Sequence, residues 1–109
     1  MTYNIDTFIR QLQSSIAKRK EKIDMFECNA MHCKSTYHKV KEDKHSYLAK
    51  VEKVDPVVLK RCDKNIIDWR NTVNKHQNAL LYLVQQQKTE RKMLAYFINE
   101  KRYMLAKES

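Results

Sequence analysis

Glycine is absent from this 109-residue chain, and proline occurs once. Without glycine the chain lacks the residue that takes positive φ at tight turns and helix C-caps without steric cost. Frequent chain reversals are therefore disfavoured, and a few long helices are the natural solution. Also missing is any apolar run near the ~20 residues that a membrane-spanning helix needs. There is no glycine-rich loop to cradle a phosphate. The segment Met1-Thr2-Tyr3-Asn4-Ile5-Asp6 has neither the basic nor the apolar region of a secretory signal. The three cysteines, Cys28, Cys33 and Cys62, are an odd number, which fits reduced thiols better than a disulfide framework. The expectation is a soluble, cytoplasmic protein with no membrane insertion.

What the chain does have is a long seam. From Ile5 the apolar positions advance by alternating steps of four and three: Ile5, Ile9, Leu12, Ile16, Arg19, Ile23, Phe26, Ala30, Cys33, Tyr37, Val40, Lys44, Tyr47, Val51 and Val54. Only Arg19 and Lys44 interrupt it. This is the 3.5-residue repeat of a coiled-coil helix, sustained for about seven heptads. A helix lying on a globular core is typically only about 8–20 residues long. Ile9, Ile16, Ile23, Ala30, Tyr37, Lys44 and Val51 take position a, and the other set, from Leu12 to Val54, takes position d. Asn4 or Thr2 suits the N-cap, and Asp6 suits the positive end of the helix dipole.

The one punctuation mark is Val54-Asp55-Pro56. Proline removes a backbone donor and disfavours helix in the residue before it, yet it fits the first position of a new helix behind an aspartate cap. Beyond it the seam resumes with Leu59, Cys62, Ile66, Trp69, Val73, His76, Leu80, Leu83, Gln87, Glu90, Leu94, Phe97, Lys101 and Met104. Gln85-Gln86-Gln87 and Glu90 weaken its second half, after which drift toward Leu94, Ile98 and Leu105 is expected. The fold expected is all-α, two long helices forming an antiparallel coiled-coil hairpin: helix 1 over about 4–54, a turn at about 54–58, and helix 2 over about 56–107. A turn there pairs residues whose numbers sum to about 110–113, with Arg19 near Glu90 or Leu94 and Lys44 near Ile66 or Trp69. Arg19 and Glu90 are then a register pair; the alternative is that both side chains snorkel outward.

Chemistry finds little purchase in this pattern. Cys28 and His32 share a helix face, which supplies part of a zinc site, but Cys33 lies on the seam and Cys62 many layers away. Cys33 and Cys62 read as small apolar seam fillers. His38 and His45 read as exposed and His76 as a seam residue. No nucleophile, base and orienter come together, and a two-helix rod has no room for a ligand pocket. No enzyme, cofactor, metal or small-molecule ligand is expected.

Charge says more. Lysine and arginine number 22 against 13 acidic residues, for a net charge of +9. The pI is about 9.5 and the mean hydropathy −0.77. Such a balance suits an acidic partner: nucleic acid, anionic lipid or an acidic protein surface. Basic residues interleaved with Tyr37, Tyr47, Trp69 and Tyr82 are compatible with nucleic acid. Against that, these aromatics fall mostly on seam positions and no basic stretch is free of acidic neighbours, unlike a zipper-type grip.

The opening of helix 2, Leu59-Lys60-Arg61-Cys62-Asp63-Lys64-Asn65-Ile66-Ile67-Asp68-Trp69-Arg70, with its acidic-then-tryptophan pattern, resembles injectisome members of the FliJ/YscO-like stalk family of flagellar and type III secretion systems. The ending is similar to their basic-aromatic C-terminal arms: Glu90-Arg91-Lys92, then Asn99-Glu100-Lys101-Arg102-Tyr103. In architecture the resemblance covers nearly the whole chain. It implies a non-enzymatic stalk in the central hole of the hexameric secretion ATPase, coupling ATP hydrolysis to the export gate, with secretion chaperones as further partners and a place at the cytoplasmic base of the apparatus in the bacterial cytosol. It also implies that the end bearing both termini enters the hexamer and the tip meets the gate. The contact residues expected on that basis are Arg10, Lys18, Lys20 and Lys22 on helix 1 and Lys88, Arg91, Lys92, Lys101 and Arg102 on helix 2. A structural or adaptor hairpin of another system, such as a phage or plasmid protein, is the competing reading, followed by a basic nucleic-acid-binding hairpin.

Overall fold

The computed structural model describes residues 4–108, and these form two helices: α1, Ile5–Lys50, and α2, Pro56–Glu108. They pair as an antiparallel coiled-coil hairpin. No described residue has a positive φ, as expected of a chain without glycine. No helix among the described residues is long and apolar enough to cross a membrane.

The seam residues are the ones removed from water. Ile5, Ile23, Cys33 and Val73 are buried, and nearly every other seam position is half-buried, while the positions between them are mostly exposed. Two helices alone cannot enclose a side chain on all sides, which is why few seam residues lose contact with solvent altogether. Val54 and Met104 are the exceptions; both are exposed. The expected drift of the seam is partial: Leu94, Phe97, Ile98 and Lys101 are half-buried, but Leu105 is exposed.

The turn corrects the sequence reading. α1 stops at Lys50, four residues before the expected Val54, and residues 51–55 make the reversal. A left-handed cap would end a helix within one residue. Lacking one, this chain needs five, and Pro56 disfavours helix at Asp55 before it. The last helical bond runs from the Val51 N–H to the Tyr47 carbonyl at 3.2 Å. Asp55 then caps α2: its Oδ1 accepts from the Val57 N–H at 2.9 Å, and its carbonyl from the Leu59 N–H at 3.0 Å. The Asp55 N–H donates to the Tyr47 hydroxyl at 3.0 Å, which ties the reversal to the seam of α1. At the other end Asn4 caps α1, its Oδ1 accepting from the Thr7 N–H at 3.3 Å. The alternative cap, Thr2, lies outside the described residues.

The earlier end of α1 moves the register too. The reversal centres nearer the N-terminus, and the cross-helix ion pairs sit one to three positions short of the expected register: Lys44 with Asp63 and Asp6 with Lys101, while Arg19 still meets Glu90. Lys44 pairs with Asp63 at 2.5 Å, one helical turn before the expected neighbour Ile66.

The contacts group into two units. One is made of residues 25–80 and includes the turn. Within it Phe26 lies against His76, with ring centroids 6.2 Å apart at 56°, and the Lys41 ammonium sits 4.7 Å over the Tyr37 ring. The other joins the chain up to Asp24 with the chain from Leu81 onward.

Candidate partner-binding surface

The unit formed by the two terminal segments carries the densest polar structure. Its centre is Glu90, a carboxylate at a seam position. Arg19 Nε donates to Glu90 Oε1 at 2.5 Å. Ser15 Oγ donates to the other carboxylate oxygen, and Arg19 Nη1 to Gln86 Oε1. Gln86 Nε2 in turn donates to the Tyr82 hydroxyl at 2.5 Å. The side chains of Arg19 and Glu90 keep only 24% and 14% of their exposure, so neither snorkels fully outward. The Arg19 hydrogen bond is the main influence holding the Glu90 carboxyl below the usual range; partial burial opposes it, and the Ser15 hydroxyl and the Arg19 charge reinforce it.

A seam charge this enclosed acts as a register device. Sliding α2 by one heptad would leave Glu90 without Arg19 and Ser15, and a charge left unpaired away from water is costly. Sequence reasoning identified the Arg19–Glu90 pair but missed Ser15 and Gln86. The signal for both was available: each lies four residues before a seam charge, one helical turn away on the same face.

Two further contacts hold the unit. Lys101 Nζ meets Asp6 Oδ1 at 2.6 Å, and Lys101 is the main cause of a lowered Asp6 carboxyl, through its hydrogen bond and then its charge. Phe8 and Phe97 stack, with centroids 5.6 Å apart and planes 10° off parallel.

The nine basic residues singled out for partner contact all belong to this unit. Arg10, Lys18, Lys20 and Lys22 are exposed along α1, and Lys88, Arg91, Lys92 and Arg102 along α2. Lys101 differs from the rest: it is half-buried and committed to Asp6. Beside them stand exposed tyrosines, Tyr82, Tyr96 and Tyr103. Tyr82, one of the aromatics expected to be mostly seam residues, is 63% exposed, whereas Tyr37, Tyr47 and Trp69 do lie on the seam and are half-buried.

Elsewhere, Cys28 and His32 are both exposed on α1. Among the described residues no group of three or more His, Cys, Asp or Glu side chains is placed to hold a metal ion. Cys33 is buried and Cys62 half-buried, in keeping with seam fillers. His38 and His45 are exposed, and His76 is half-buried on the seam.

No family model, curated protein or solved structure matches the chain.

Proposed function

We propose that this protein is a non-enzymatic coiled-coil stalk of a type III secretion system, which enters the hexameric export ATPase, stimulates it and couples it to the export gate. The observation that carries the reading is the set of exposed cations in the terminal unit: Arg10, Lys18, Lys20 and Lys22 on α1, with Lys88, Arg91, Lys92 and Arg102 on α2. Cations on both helices give a basic surface on more than one side, which suits an acidic pore lining. Arginine and tyrosine side by side are common anchors of protein interfaces. The seam network at Glu90 supports the same reading, since a fixed register lets two helices act as one body. On this reading the protein works at the cytoplasmic base of the apparatus and contributes to virulence. The unit 25–80 carries the turn that faces the gate, and secretion chaperones are further partners.

The test is ATP hydrolysis by the secretion ATPase of the same cell, with and without the protein. Charge reversal at Arg91, Lys92 and Arg102 together should abolish stimulation while helicity is retained. Reversal at Lys50, Lys53, Lys60 and Arg61, near the turn, should spare it. The opposite result would invert the polarity of the stalk. The absence of a secretion ATPase gene nearby, or of any stimulation by the unaltered protein, would return the chain to the adaptor class.

A further inference from the structure

The outer face of α2 in the terminal unit carries a second stripe, separate from the seam. Tyr82, Tyr96 and Tyr103 recur at multiples of seven residues, with Met93 between them. They are 63%, 60%, 65% and 45% exposed. On a helix with a 3.5-residue repeat, positions spaced 3, 4 and 7 apart stay on one side, so these four side chains form one line. The line is adjacent to the seam but not part of it. Tyr96 rests edge-on against Phe97, centroids 5.4 Å apart at 73°, and the Tyr82 hydroxyl is held by Gln86. These two aromatics are thus positioned by the seam and by the Arg19–Gln86 network beneath it. An open recess of about 340 Å³ adjoins Tyr82, lined also by Arg19, Gln86 and Glu90. Lys88, Lys92 and Arg102, all exposed, flank the line, and the half-buried Glu100, seven residues after Met93, lies on it.

We infer that this face docks an acidic amphipathic helix from a partner protein, making the terminal unit a three-helix bundle. Three features select that occupant. First, the spacing is helical: tyrosines seven residues apart lie about 10.5 Å apart along the axis, which is the interval between equivalent apolar positions of a partner helix. Second, the exposed charges flanking the line, Lys88, Lys92 and Arg102, are positive and outnumber the one acidic residue on it, the half-buried Glu100, so a partner rich in glutamate or aspartate is attracted. A second copy of this chain, with a net charge of +9, would set like charges against each other. Third, the seam here is the more polar half, with Gln87 and Glu90 at seam positions, so a third helix supplies apolar burial that the pair lacks. Tyrosine suits the role because it offers a large apolar body with little rotamer entropy to lose and a hydroxyl that remains satisfied at the rim. The inference goes beyond the ATPase reading and does not require it, because an acidic helix of any origin meets the condition.

The test uses the full chain and a fluorescein-labelled peptide of four heptads, leucine at its a and d positions and glutamate at e and g. Fluorescence anisotropy should show saturable binding that weakens with added salt. A matching peptide with lysine in place of glutamate should bind at least tenfold more weakly. A variant carrying Tyr82→Ser, Tyr96→Ser and Tyr103→Ser, at exposed positions, should keep its helical circular dichroism and lose at least tenfold in affinity for the acidic peptide. Met93→Cys should cross-link to a cysteine at a d position of the peptide, and Met31→Cys, in the other unit, should not. Failure of the acidic peptide to bind, or binding indifferent to the triple substitution, overturns the inference. So does tyrosine-dependent binding of a single-stranded RNA oligomer or of anionic vesicles in place of the peptide. Sedimentation that shows a tyrosine-dependent homodimer would replace the partner helix with a second copy. None of these measurements involves ATP hydrolysis, so the outcome is independent of whether the protein stimulates an ATPase.

Discussion

Breaking the Arg19–Glu90 pair should cost more than a surface ion pair and less than a fully buried one. Two unit charges about 4 Å apart attract by about 1 kcal/mol in water and about 4 kcal/mol at an effective dielectric of 20. The side-chain exposures of 24% and 14% place the pair between those limits, and part of the gain is offset by desolvation of both groups. A coupling energy of about 1.5 kcal/mol follows. A single Glu90→Gln change also strands the guanidinium of Arg19 beside a neutral amide, and should destabilise the hairpin by about 2 kcal/mol. With a urea m-value of about 1–2 kcal/mol/M, the midpoint should fall by about 1–2 M. Arg19→Met keeps an apolar stem on the seam but leaves the Glu90 charge with only the Ser15 hydroxyl as partner, and should cost a similar amount. If the two groups act through each other, the double variant should be less destabilised than the sum of the singles by about 1.5 kcal/mol. Glu90→Arg, which sets two guanidinium groups together, should be the worst of the set, with partial recovery when Arg19→Glu is added. Equilibrium urea denaturation followed by circular dichroism at 222 nm gives all of these values. A coupling below about 0.3 kcal/mol, within the usual error of additivity, would refute the register role and leave the pair as a passive surface contact.

Acid should weaken the hairpin. The Glu90 carboxyl is held below its ordinary range when folded, so its stabilisation is complete above the unfolded pKa, about 4.3, and is lost as pH falls through the lower folded value. Asp6, lowered by Lys101, acts in the same direction. The thermal midpoint of Glu90→Gln should therefore change less between pH 6 and pH 3 than that of the unaltered chain; equal slopes would contradict the assignment. Ile23→Ala and Val73→Ala remove side chains at the two most buried positions and should each cost about 2 kcal/mol or more. Met31→Ala, at a residue 73% exposed, should change stability by no more than about 0.5 kcal/mol. Thiol labelling in the native state should find Cys28 fast, Cys62 slower and Cys33 protected, following their exposed, half-buried and buried positions; prompt labelling of Cys33 would show that the seam opens readily. Tyr47→Phe removes the acceptor for the Asp55 N–H and should cost about 1 kcal/mol, read as a shift of the urea midpoint.

The sequence by itself determined the helices, the faces they bury and one of the polar contacts between them. Heptad spacing is a local property: once residues are helical, Ile5, Ile23, Cys33 and Val73 share the apolar side whatever they pack against, and all four are buried. Asp55-Pro56 likewise encodes a cap through its own backbone chemistry, and α2 begins at Pro56. Arg19 and Glu90, charges on two otherwise apolar stripes, could be matched because each needs a partner that only the other helix offers. The tertiary structure decided what depends on distance across the chain. Where α1 ends was not legible, because Val51 to Val54 continue the heptad pattern; only the geometry of reversing without a left-handed residue stops the helix at Lys50. With that early stop Lys44 pairs with Asp63, one turn before Ile66, and the Tyr47 hydroxyl meets the Asp55 N–H. The Ser15 and Gln86 contacts, and the exposed line of Tyr82, Tyr96 and Tyr103, belong to the same class. A heptad tells which way a side chain faces on its own helix, but the pairing of two helices decides which polar groups meet and which aromatics are left uncovered.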